Sequence, residues 1–408
     1  MRSVSGEMKK IIFLKLHKFS THWQFNKSGV EIFGNFFTMK ILQVMTELGF
    51  GGAERVVWDL SRALTAQGHT VFLAVMKDLP EKNMKEDFKQ IGIYPDILKI
   101  NSFRDWKKIK KLRKLIREYQ PDVIHSHLMH PNLIARIANY KTGIPLVNTI
   151  HISERRSGQS LFFLLDSLTH PLCSCYTAVS DASARFHEKK VHLKEGSIRT
   201  IRNGVDPAAV RTADELEEAK DRWQVRMCNK LLGAVGRLNP QKGFDRLLRV
   251  LSSLEQHVPQ GETWGVVILG EGEERKNLEE QLSNCSHRNL VVRLPGFEKD
   301  AASYAQAFDA FVMPSRYEGY GLVLAEAISL GLPCVYAPVD SLPELAEGVP
   351  NAFPARFDRP DKDAETAEII ANALSMPRSE KRTLCSVGSM AAEYLALYEE
   401  LGRKDGKK

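Results

Sequence analysis

Apolar and polar residues are arranged along the chain in two successive series, each repeating a short apolar run, a turn and a helical stripe. In the first, the runs at 39–45, 69–76, 96–100, 123–127, 146–151, 176–180 and 198–202 predict strands. Helical spacing appears at Val56, Val57, Leu60, Ala63 and Leu64, across 103–119, and in the apolar stretch 160–172, which is expected to pack in the core, with membrane contact as the alternative. The second series opens with a strand at 231–235 and continues at 266–269, 290–294, 310–313 and 333–337, with helices from Phe244 and from about Leu322. Asn203-Gly204-Val205-Asp206-Pro207 is turn-rich and separates them. The pattern predicts an α/β architecture of two Rossmann-like domains facing each other across a cleft. The expected division is an extension at 1–38, domains at 39–205 and 206–388, and a terminal helix and tail at 389–408, within a helical region at 379–401.

Composition narrows the class. The 408 residues are 43% hydrophobic, yet no apolar run is long enough to cross a bilayer. Six scattered cysteines form no Cys-x-x-Cys pair, so neither a zinc site nor a disulfide framework is expected, and reduced thiols in a cytoplasmic protein are. The net charge of +7 is concentrated outside the two series, because 1–38 carries six Lys or Arg against Glu7 and Glu31. A nucleic-acid surface is therefore not indicated. One helix differs, since Lys107, Lys108, Lys110, Lys111, Arg113, Lys114 and Arg117 surround the stripe Trp106, Ile109, Leu112, Ile116 and Tyr119. Its basic face is either a solvated surface or a foothold on anionic lipid.

The richest chemistry lies at 313–327, MPSRYEGYGLVLAEA. A strand, a turn with Gly319 and Gly321, and a helix start there present free amides and a positive dipole end, suited to a phosphate. Glu318 precedes the glycine turn and Glu326 follows on the second helical turn, either as working carboxylates or as charges complementing the dipole. Gly51 and Gly52 make a second such junction before a helix. In Gly236-Arg237-Leu238-Asn239-Pro240-Gln241-Lys242-Gly243, Arg237 offers a forked donor and Lys242 a point charge, both fitted to a diphosphate. Gly270-Glu271-Gly272 ends another strand with no glycine at Arg275, so neither glycine loop completes a dinucleotide fingerprint. His127 and His151 end strands at the sheet edge where ligands bind, while His125 is expected on the opposite face. Glu154, Arg155 and Arg156 suit either a solvated loop or an acceptor phosphate, and Asp361-Lys362-Asp363 reads as surface.

These motifs together resemble family 4 retaining glycosyltransferases of the GT-B fold, over about Met39 to Leu401. The carriers are Glu318-Gly319-Tyr320-Gly321-Leu322 with Glu326, the Gly-Arg-Leu-x-x-x-Lys-Gly element, the paired glycines and the Asn-Gly-Val-Asp hinge. The resemblance implies transfer of a hexose, with retention, from a nucleotide-diphosphate sugar to a glycan or lipid-linked acceptor, in cell-envelope polysaccharide or lipopolysaccharide synthesis. It implies no cofactor and no required metal, and a cytoplasmic enzyme touching the membrane only peripherally. Glu318, Arg237, Lys242 and His151 would be catalytic. Gly51, Gly52, Gly236, Gly270, Gly319, Tyr320, Gly321, Leu322 and Glu326 would bind donor. Phe297 would border the base, and the terminal helix would cross back to the first domain. Two departures stand out: Ile152 follows His151 where the family often has an acid, and Val339-Asp340-Ser341 replaces a glycine pair before Pro343-Glu344, so no donor contact is carried onto that loop. The alternatives are a nucleotide-sugar epimerase of the same fold and a nicotinamide-dependent dehydrogenase.

Overall fold

The computed structural model describes residues 38–100, 105–153, 155 and 158–405, so the expectations for 1–37, Glu154 and Arg156 lie outside the described residues. Seven parallel strands form the first sheet: β1 Lys40–Met45, β2 Thr70–Val75, β3 Asp96–Ile97, β4 Val123–His127, β5 Leu146–Ile150, β6 Cys175–Ala178 and β7 Arg199–Thr200. Six parallel strands form the second: β8 Lys230–Val235, β9 Trp264–Leu269, β10 Leu290–Gly296, β11 Ala310–Met313, β12 Cys334–Tyr336 and β13 Ala352–Pro354. Their orders are β3-β2-β1-β4-β5-β6-β7 and β10-β9-β8-β11-β12-β13. In each sheet the order reverses beside the first strand, between β1 and β4 and between β8 and β11. Such switch points open a crevice beyond the strand C-termini.

The second sheet is sandwiched between two apolar layers, one of which packs Leu247 and Leu251 of the helix Phe244–Leu254 against Val266 and Ile268. Strands covered on both faces need near-continuous apolar sequence, as in Trp264–Leu269. The first sheet is covered on one side partly by the helix Val387–Asp405, whose Met390, Tyr394, Tyr398 and Leu401 enter its core. That helix begins at Val387, so residues 379–386 are not helical as expected. A Cβ on Gly204 would lie 2.4 Å from the Cα of Val387. The two interdomain passages therefore run side by side, tied by the Val205 amide donating to the Cys385 carbonyl at 2.8 Å.

Several elements differ from expectation. The strand expected at 96–100 pairs only at Asp96–Ile97, and the helix Ser160–Thr169 ends in a tighter turn at His170–Leu172. The core placement of 160–172 is overturned, because Asp166 is the only buried residue of Ser160–Thr169.

Candidate active site

The loop between β11 and the helix Leu322–Ser329 lies at the switch point of the second sheet and is held from both domains. Glu318 accepts from Lys242 Nζ and from Ser315 Oγ, both at 2.7 Å, and its amide donates to Asp340 at 2.9 Å. The next carbonyl, of Gly319, accepts from Ser180 Oγ at 2.6 Å and Ser183 Oγ at 3.0 Å. Both serines belong to the first domain, on the helix Asp181–Val191 and its cap. Gly319 is required by a close approach, since a Cβ there would sit 1.8 Å from the His151 carbonyl oxygen. Gly321 is required by conformation, having φ +91° at the start of the helix. Tyr320, a proposed donor contact, instead turns its ring into the core of its own domain. Only its backbone remains for the donor.

Lys242 is fixed by the Asn239 side chain, which accepts from the Lys242 amide at 3.2 Å. Gly236 directly follows β8 with its amide bonded to the Leu269 carbonyl, and its Cα faces the Lys242 stem. Gly270 lies behind this loop, where a Cβ would fall 1.9 Å from the Gly236 carbonyl oxygen. It shapes the loop through packing.

The first domain closes the other side. Gly51 caps the helix Gly52–Ala66, and a Cβ on it would lie 3.5 Å from the Arg237 guanidinium. One on Gly52 would lie 3.3 Å from Leu322. The two phosphate-suited helix starts thus face each other with Arg237 between them. Glu54 in the first turn is buried, and desolvation lifts its carboxyl to about 7 even though Arg237 opposes the shift. Burial likewise lifts Glu326 to about 7 against the pull of Arg55, with Asp59 and Asp300 adding repulsion. Phe50, the residue before Gly51, meets Phe297 of the second domain with ring centroids 5.0 Å apart.

The three histidines form one cluster, and His125 is on the same face as His127, their rings 4.0 Å apart. Residues two apart on a strand share a face, so the opposite-face expectation fails on the period itself. His127 lies between Gln43 Oε1 at 2.6 Å and His151 at 2.9 Å. With the Gln43 carbonyl as acceptor, His127 donates through Nε2 and accepts at Nδ1 from His151 Nε2–H. His125 lies 2.6 Å from both the Tyr398 hydroxyl and the Thr149 hydroxyl. Burial holds His125 and His127 well below the usual imidazole range and His151 at about 4. His151 is thus neutral near pH 7 and offers its second ring nitrogen as an acceptor. It suits orienting a hydroxyl better than carrying a proton.

Two family models match the chain, "Glycosyltransferase Family 4" over residues 50–209 and "Glycosyl transferases group 1" over 216–384. The chain belongs to the group 1 glycosyltransferases. This enzyme is 28% identical over 346 residues to an uncharacterized glycosyltransferase of Haemophilus influenzae, covering 82% of this chain and 92% of that one. It is 24% identical over 313 residues to the Escherichia coli UDP-Gal:alpha-D-GlcNAc-diphosphoundecaprenol alpha-1,3-galactosyltransferase, covering 74% and 80%. Its fold matches Anabaena HepE, solved with UDP-glucose, at TM-score 0.68 and 21% identity, covering 90% of this chain and 98% of that one. The two-domain fold is accordingly that of GT-B glycosyltransferases. Membership sets aside the nicotinamide reading.

The structure adds residues that the sequence did not single out. Asp340, at φ +46°, binds the Glu318 amide and pairs with Arg155 of the first domain. The signal available in the sequence was a polar residue where the resembled family has glycine, a type that tolerates the left-handed conformation found here. Glu344 accepts from the amides of Asp181 and Ala182 at 3.1 and 2.8 Å, capping a helix of the opposite domain. Asp361 and Asp363 pair with Arg359 and Arg249, as suits surface residues. Among the described residues no three His, Cys, Asp or Glu side chains converge as metal ligands, and no helix is long and apolar enough to cross a membrane.

Proposed function

We propose that this glycosyltransferase transfers a hexose, with retention, from a nucleotide-diphosphate sugar to a glycan or lipid-linked acceptor in cell-envelope polysaccharide synthesis. The observation that carries the reading is the Lys242–Glu318 pair, which joins the loops after β8 and β11 at the switch point with Arg237 beside Gly51. Departure of the nucleotide diphosphate develops negative charge. Arg237, the remaining protons of Lys242 and the amides from Gly319 into the helix Leu322–Ser329 stabilise it. Glu318 positions the donor sugar and Glu326 accepts from the ribose hydroxyls. His151, neutral, orients a sugar or acceptor hydroxyl. No side chain is needed as nucleophile if the acceptor attacks from the face that the diphosphate leaves, the leaving phosphate taking its proton. No metal is required, since the two cations and the helix starts supply the positive charge. The enzyme works at the cytoplasmic side of a membrane without spanning it.

The test is thermal unfolding with nucleoside diphosphates and nucleotide sugars, alongside Arg237→Ala and Glu326→Ala. Uridine diphosphate heads the panel, because the names of the E. coli relative and the Anabaena complexes carry it. A ligand at a hundred times its dissociation constant stabilises the native state by about 2.7 kcal/mol. One base raising the midpoint, with the rise lost in both variants, is the expected result. No response to any nucleotide diphosphate would sink the reading.

A further inference from the structure

We infer that the helix Ser160–Thr169 and its neighbours form a surface that docks on an anionic lipid bilayer. The helix, SLFFLLDSLT, is apolar in sequence yet inverted in the fold, because its single buried side chain is its acid. Asp166 is held inside by Arg136, His187 and Tyr176. Leu161, Leu164 and Leu168 are 61, 55 and 69% exposed, and Leu172 in the following turn is 40% exposed. Their spacing puts them on one side of the helix. On the next helix, Met129–Asn139, Ile137 and the adjoining Tyr140 are also exposed. The two helices touch through His130 and Phe162, whose rings lie 4.6 Å apart.

Charge decides between occupants. The basic helix Trp106–Tyr119 packs on the other side of Met129–Asn139, where the Arg113 guanidinium donates to the Tyr140 carbonyl at 2.8 Å. Arg113, Arg117 and Lys141 line one shallow groove beside that contact. On the opposite flank Lys190 lies over the Phe163 ring at 5.9 Å, next to exposed Lys189. Between Asp122 and Asp181 the sequence has only two acids, Glu154 and the buried Asp166. An apolar stripe bordered on both sides by cations fits the acyl and headgroup layers of an anionic membrane, which bind an amphipathic face by burial and by attraction together. A partner protein of ordinary mixed charge would need acids to match the cations here. The surface also has a place in the reaction, a step that rests on the lipid-linked acceptor of the proposed function: only eight residues separate His151 in the cleft from Ser160 at the helix start.

The experiment is co-sedimentation of the full chain with vesicles of phosphatidylcholine alone or mixed with phosphatidylglycerol. Variants are the triple Leu161→Ser, Leu164→Ser, Leu168→Ser, the pair Lys114→Glu, Arg117→Glu, and Met227→Ser as a control exposed on the other domain. Binding is expected only when phosphatidylglycerol is present. The leucine variant loses at least tenfold in partition, and the charge variant loses on the order of fivefold or more per basic residue, mostly at low salt. Met227→Ser binds like the parent. Equal binding to both vesicles, or unchanged binding by the leucine variant, overturns the proposal. So does a parent chain that self-associates in sizing and is made monomeric by the leucine variant without binding lipid. Each variant is also melted with the nucleotide panel. A retained nucleotide response with no lipid binding rejects the docking surface alone, whereas loss of the nucleotide response in the parent rejects the transferase site.

Discussion

The two domains share one topology but are held together by different chemistry. In the second, buried polar side chains sit in loops, as Ser315, Glu318 and Ser341 do, or in helices, as Ser303, Ser329 and Thr366 do, while the sheet is apolar between its helices. In the first, polar residues occupy the strands themselves: Gln43, His125, Ser126, His127, Asn148, Thr149 and Thr177 are all buried. Apolar packing tolerates exchange of similar volumes. A buried polar network has one satisfied arrangement and holds it. The second domain is thus a firm support carrying charged loops, and the first is a polar lattice fixing the orientation of groups such as His151.

Removing one partner of the buried ion pair should give the largest effect. Arg136 reaches Asp166, Asn148, Thr169 and Tyr176 from a fully buried position. Burial alone would raise the Asp166 carboxyl, but His187 and Arg136 bring it down to about 2. Arg136→Met leaves that buried carboxylate without its guanidinium, with only His187 and Tyr176 still bonded to it, and should cost about 3–5 kcal/mol. Leu251→Ala in the second domain should cost about 2–5 kcal/mol through its cavity. Adding Asp166→Leu to Arg136→Met should recover much of the first loss. Urea unfolding of the three chains measures this, and no recovery in the double variant would mean that the network acts through geometry rather than charge.

Next comes the contact between the domains. Gly319→Ala forces a methyl into the His151 carbonyl and displaces a loop that both domains hold. A displacement of about 1 Å in a catalytic loop costs roughly a hundredfold in rate. Donor turnover should fall by that order while the melting curve of either core changes little. Turnover within threefold of the parent would show that the loop is free to move.

This contrast also explains what the sequence made legible. The inner strands of both sheets, their ends and the loops with Arg237, Lys242, Glu318 and Glu326 follow from local patterns, because turn residues and alternation are local, whereas the short edge strand Ala352–Pro354 carried too little pattern to be expected. Asp340, Glu344, Ser180 and Ser183 act across the cleft, between positions 136 to 185 residues apart, and no local pattern encodes such pairs. The Ser160–Thr169 helix misled for a related reason. Apolar spacing shows that a face seeks an apolar neighbour, and not whether that neighbour belongs to the same chain.

The cleft carboxyls give a smaller, pH-dependent effect. Glu54 and Glu326 titrate near 7 in the folded chain against an ordinary 4.5, so between those values the folded chain keeps protons that the unfolded chain has released. Stability should therefore fall as pH rises from about 4.5 to 7 and level off above, at up to about 1.4 kcal/mol per pH unit for each group, less where solvent reaches Glu326. Melting the ligand-free chain from acid to neutral pH should show this slope, and Glu326→Gln should flatten part of it. A slope of opposite sign would place the carboxylates in ion pairs instead.

One bridge between the domains is aromatic. Phe50 of the first meets Phe297 of the second, with Lys82 over the Phe297 ring at 5.3 Å and Lys299 over that of Phe50 at 5.9 Å. Such a pair is worth about 0.5–1.5 kcal/mol beyond its area, and its partial exposure puts it at the lower end. Phe297→Ala should leave each core intact and lower the melting midpoint by little, because neither sheet depends on it. If the pair acts mainly as a latch on the cleft, the substitution should instead show in scattering, as a larger ligand-free radius that a bound nucleotide restores. If Phe297 stacks on the base, nucleotide affinity itself should fall while the ligand-free radius stays unchanged. Phe50→Ala separates the two roles, because it removes the latch and leaves the Phe297 ring in place.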